Sequence, residues 1–138
     1  MASLAIQLAD EIAAYLNGAT VGETALSCVR KLIPESDLTK VKTLQIISVP
    51  HSLESKIVVR GGAKDRIVRV DVGVMKRATE NELEDLLGLT QAIGDLLEGH
   101  RFSGGLCVEV AYAPLYDVDI WLQQQSFLAV VSAKIRVL

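Results

Sequence analysis

Two stretches of this chain alternate apolar and polar residues so regularly that they dictate a sheet. From Ser126 to Leu138, the residues Phe127, Ala129, Val131, Ala133, Ile135 and Val137 fall on one face, with Ser132, Lys134 and Arg136 on the other. Val68, Val70, Val72 and Val74 repeat the same spacing earlier in the chain. A period of two belongs to an extended strand half buried against a core. Slipping either strand by one residue would turn its whole apolar row to water, so the register is set by the residues themselves. The end of the chain is therefore expected to lie inside the sheet and not to serve as a tether.

Something apolar has to cover those rows, and two helical patterns supply it. Leu4, Leu8, Ile12 and Leu16 recur every four residues between about Ser3 and Asn17, with Ala5, Ala9 and Ala13 beside them. Ser3 is placed to cap this helix, and Gly18 to close it in the left-handed conformation. The second helix starts at Thr79, where Thr79 and Glu82 have the spacing of a reciprocal capping box. It runs to about Glu98 with Leu83, Leu86, Leu87, Thr90, Ile93, Leu96 and Leu97 as its buried stripe, and Gly99 follows. Gly88 and Gly94 inside it each cost about 0.8 to 1 kcal/mol relative to alanine, which implies close packing at both positions.

The remaining segments complete the sheet. Thr24 to Ile33 reads as extended, and Thr43 to Val49 as a strand ended by Pro50, with His51 to Lys56 as an exposed loop. Ile57, Val58 and Val59 precede the turn signal Gly61-Gly62, and the valine strand follows it as a hairpin. Leu106 to Tyr112 is a further strand, with Leu106, Val108, Val110 and Tyr112 on one face. Leu115 to Gln125 is an irregular excursion that holds the single Trp121. The expected fold is α+β: a mixed, mostly antiparallel sheet of four to five strands with two amphipathic helices packed on one face, in one domain over residues 1–138.

Little in the chain points to catalysis. His51 and His100 fall in separate predicted loops, and Cys28 and Cys107 are too few and too far apart for a disulfide framework or a cysteine zinc site. The glycine pairs lack the lysine and hydroxyl of a phosphate-binding loop. The acids Glu82, Glu84 and Asp85 open a helix, where they favour its dipole. No cofactor, no metal and no enzymatic activity are expected. A net charge of −3 disfavours tight binding of nucleic acid. No segment has the form of a signal peptide or of a membrane span.

One set of residues has a family likeness. The run Asp71-Val72-Gly73-Val74-Met75-Lys76-Arg77, the capped helix after it, Ala113-Pro114-Leu115-Tyr116-Asp117, Leu122, and Gln125-Ser126-Phe127 leading into the final strand resemble the tail-terminator, or tail-completion, proteins of long-tailed bacteriophages, the minor tail protein U-like group. The likeness in element order spans the chain, and its residues are concentrated in Asp71 to Arg77 and Pro114 to Phe127. It implies a structural virion protein that forms a ring, typically a hexamer, at the head-proximal end of the tail. Such a ring caps the tail tube and provides the surface to which the head attaches. Its partners are its own copies, the tail-tube protein and a head-connector protein, while DNA passes through the lumen without sequence-specific binding. Assembly takes place in the host cytoplasm. Another head-tail connector component, or a small protein-binding module of the cytosol, has the same composition and stays open on the residues alone.

Loops beside a rigid scaffold carry most binding contacts. The candidate interface residues are accordingly Arg60, Lys64 and Arg66 at the hairpin tip, and Tyr116, Asp117, Trp121 and Gln125 in the excursion. Lys134 and Arg136 join them from the polar face of the last strand. A solvated hairpin tip and a Trp121 buried in the core are the plain alternatives.

Overall fold

The computed structural model of the chain describes residues 3–33, 43–57, 64–112 and 115–137. Helix α1 (Leu4–Asn17) is followed by β1 (Thr20–Val21), β2 (Thr24–Ala25) and β3 (Cys28–Arg30), then by the long strands β4 (Gln45–Ile57) and β5 (Lys64–Arg77). Helix α2 (Leu83–Leu97), β6 (Arg101–Phe102), β7 (Gly105–Tyr112), helix α3 (Val118–Gln124) and β8 (Ser126–Val137) complete the order. Strands β1 and β2 form a small hairpin, and the others a six-stranded sheet in the order β3-β4-β5-β8-β7-β6. Strand β3 runs parallel to β4, and the remaining neighbours are antiparallel. The α+β class and the mixed, mostly antiparallel sheet agree with expectation. The sheet is wider than four or five strands, and the described residues hold three α-helices instead of two.

The two alternating runs lie side by side, with Val72 opposite Val131 and Val70 opposite Ala133. Val68, Val70, Val72, Val74, Phe127, Ala129, Val131, Ala133 and Ile135 are all fully buried. Helices α1 and α2 cover that face with Leu8, Ile12, Leu16, Leu86, Ile93 and Leu97. At about 25 cal/mol per Å² of apolar surface removed from water, this layer dominates the stability of the fold. Ser48, the polar residue buried under α1, donates its hydroxyl to the Ala9 carbonyl at 2.9 Å and so costs little there. Helix α3 lies on the other face, where Ile120 packs on Ile47 and Met75 with Val49 and Leu128.

Several local expectations are corrected. Strand β4 does not stop at Pro50 but continues through it to Ile57, with a shift of register between Pro50 and Ser52. Strand β3 pairs only with Ile46, Ile47 and Ser48. By Pro50, β4 has therefore become an edge among the described residues, and a missing N–H breaks no ladder there. A second bulge, between Cys107 and Glu109, reverses the faces of β7. Cys107 is buried and Val108 is 46% exposed, the opposite of the alternation read from Leu106 to Tyr112. Gly18 closes α1 in the right-handed region, at φ −91°, while Gly99 after α2 is left-handed at φ 78°. The Thr79–Glu82 capping box forms, but around a 3₁₀ turn over Glu80–Glu82 that leads into α2. The Gly61-Gly62 turn, the Pro34 to Lys40 segment and Pro114 lie outside the described residues.

Candidate assembly surfaces

The excursion from Leu115 to Gln125 proves to hold a short helix, and three of the four residues singled out there, Tyr116, Asp117 and Gln125, have a structural task. Asp117 is the N-cap of α3, its carboxylate accepting from the Ile120 amide at 3.1 Å. Gln125 ends the helix in the left-handed region at φ 50°, and its carbonyl accepts from the Ala78 amide at 3.1 Å. Tyr116 turns inward and stacks on Phe127, with ring centroids 5.9 Å apart and planes at 9°. Trp121 is half-buried, and its indole N–H finds no acceptor among the described residues. The outward side of this region is mixed: Leu115, Val118 and Leu122 are 52%, 48% and 67% exposed, beside the exposed Asp119, Gln123 and Gln125.

Lys134 and Arg136 lie on the face of the sheet away from α1 and α2, as read from the alternation. Both are engaged within the chain: Lys134 is 3.6 Å from the Glu109 carboxylate, and Arg136 is 3.2 Å from that of Asp65. His51 Nδ1 lies 2.8 Å from Asp71 on the same face. Arg66 is a strand residue paired with Ser55 and Val137, not the tip of a loop. Lys64 begins β5 opposite Ile57. Arg60 lies outside the described residues.

The candidates therefore separate into two groups. Strand β8 carries the excursion group at its Ser126 end and pairs with Arg66 near its Val137 end. Its 12 residues, at about 3.3 Å each, hold the two groups some 40 Å apart.

Among the described residues, two larger hollows and a small one of about 160 Å³ beside Val29 and Lys31 lie outside these groups. On the sheet face that carries α3, Ile47, Val49, Met75, Leu128 and Val130 surround Gly73 in an apolar dip of about 250 Å³. The larger hollow, about 560 Å³, runs between the first turns of α2, the β1–β2 hairpin and Leu44. Val21, Leu44, Leu86 and Leu89 make its apolar wall, with Glu82, Asp85, Lys76 and Gly88 along it. Lys76 donates to Glu82, which also accepts from the Thr79 amide, and these bonds hold the Glu82 carboxyl below its usual range. This groove leaves little trace in the sequence, because the β1–β2 strands that wall it are too short to show a period. Mid-helix Gly88 was the one available signal.

Neither cysteine is disposed for chemistry. Burial pushes the Cys28 thiol up to about 12, and burial likewise raises Cys107. Among the described residues no three His, Cys, Asp or Glu side chains cluster as a metal site, and no helix is long and apolar enough to cross a membrane.

No family model matches the chain, and no curated protein sequence matches it. Among solved structures, it is similar to a chain of the virion of a native gene transfer agent (GTA) particle, with a TM-score of 0.57 at 15% identity. The match covers 98% of this chain and 98% of that one, so the two share a fold from end to end.

Proposed function

We propose that this chain is a structural virion protein of a phage-like particle. Within the particle it closes the tail tube as a ring of its own copies, six by the family likeness, and offers the surface to which head-connector subunits attach. The observation that carries the reading is the end-to-end likeness in fold to a chain of a GTA virion. The order and residues of Asp71 to Arg77 and Pro114 to Phe127 point to the tail-terminator group within that class. The geometry supports it as well: a subunit seated between tube and connector needs contact surfaces at two separated ends, and β8 holds the two candidate groups about 40 Å apart. The protein acts by fit and not by catalysis. A net charge of −3 suits a lumen that lets DNA pass.

Negative-stain images of the purified protein, alone and with tail tubes of the same particle, test the reading. Rings, and tubes closed at one end by the protein, are expected. A strict monomer that never settles on tube ends overturns it.

A further inference from the structure

Gly88 has no packing partner among the described residues. It sits mid-helix in α2, where glycine weakens the helix relative to alanine. Gly94 has a reason to be there: a side chain at that position would run into the Tyr112 ring, whose hydroxyl lies 2.0 Å from the place of the missing Cβ. At Gly88 nothing lies within 4 Å of that place, and the position is open to solvent beside the groove. A glycine that clears space no neighbour occupies fits a site where another backbone comes close.

The groove also states what it would receive. Its wall of Val21, Leu44, Leu86 and Leu89 is apolar, and Asp85 has no ion pair among the described residues while Glu82 is held by Lys76. An occupant with aliphatic side chains next to a cation matches both properties. The chain itself presents such a segment: Lys31 is followed by Leu32 and Ile33, which are 57% and 82% exposed. Strand β3 and the Lys31 amide bond to the Ser48 carbonyl hold the base of that segment rigidly on the sheet.

We infer that the groove beside Gly88 receives residues 31–33 of a second copy of this chain, with Lys31 of one copy facing Asp85 of the other. Groove and insert share no residue, although Leu44 lies beside both, so each copy offers one of each and a head-to-tail contact that can close into a ring is open to them. The inference deepens the ring reading and rests on it for the second copy as occupant.

Sedimentation velocity on the full chain, from micromolar to millimolar concentration, provides the test. The wild type is expected to self-associate. Asp85→Lys and Lys31→Asp should each weaken association roughly tenfold, and the double variant should recover most of that loss. Gly88→Leu should abolish association while raising the melting temperature by about 3 °C, because it fills open space and favours the helix. Association of Gly88→Leu at wild-type strength, a double variant no better than its parents, or a wild type that stays monomeric throughout would overturn the contact. Negative-stain images of the same samples separate the two readings. Rings indifferent to these substitutions sink the contact alone, whereas charge-dependent pairs that never close into rings sink the ring alone.

Discussion

Asn17, the last residue of α1, does with one side chain what a further strand would do. Its amide donates to the Cys28 carbonyl and accepts from the Cys28 amide, both at 2.7 Å, and so satisfies the outer edge of β3. Asn17→Ala leaves both groups without a partner and is expected to cost about 2 kcal/mol, read by chemical denaturation, with faster amide exchange at Cys28. Glu82 gives a second prediction. Its folded carboxyl is held low by hydrogen bonds from Lys76 and from Thr79, so its contribution is complete above the unfolded carboxylate value of about 4.3. That contribution is lost as the pH falls through the depressed folded value. Glu82→Gln should therefore lose less melting temperature than the wild type on acidification. The Thr79–Glu82 pair was legible in the sequence because a capping box is local. The Asn17 contact was not, because it joins a helix end to a strand whose position depends on the whole sheet.

Elements with a clean period were read well, and elements whose period is broken were not. Helices α1 and α2 and strands β5 and β8 carry long apolar rows, and their boundaries fall close to those the spacing predicts. Strands β4 and β7 each contain a bulge, which changes phase in mid-strand and defeats any count of alternation. Helix α3, of 7 residues, is too short for a period, although Asp117 three residues before Ile120 was a usable start signal. Asp117→Ala removes that cap and is expected to destabilise the protein by about 1 kcal/mol, a fall of roughly 3 °C in melting temperature. Because α3 places Ile120 on Ile47 and Met75, the same substitution should also loosen the apolar dip on that face. Enhanced proteolysis near Leu122 is the measurement that would show it.

At the scale of the molecule, the two faces of the sheet have different characters. One is sealed by α1 and α2 over a continuous apolar layer, and the other mixes the α3 contact, an apolar dip and a field of ion pairs. The candidate interface residues read from the sequence gather largely around α3 and the paired charges, whereas the groove at Gly88 arises only once α2, β1 and β2 are assembled. The chain is proposed to unfold as one unit. Fluorescence of the single Trp121 reports on α3, and far-ultraviolet dichroism reports on the sheet and the longer helices, so their thermal transitions should coincide. Two separated midpoints would divide the molecule into independent parts.

The place of β8 between β5 and β7 has a consequence for how the protein forms. Strands β3, β4 and β5 make one half-sheet, β6 and β7 another, and β8 alone joins them. It follows in the chain both of the strands it must separate, so the joining step brings together residues as distant as Arg66 and Val137. Such non-local pairing is slow, because loop-closure entropy is lost before the contacts return it. Until it happens, β5 and β7 both present open edges to any other chain nearby. A cell making many copies at once would hold a population of half-closed molecules, and the speed of that last insertion would govern how many complete the sheet instead of aggregating.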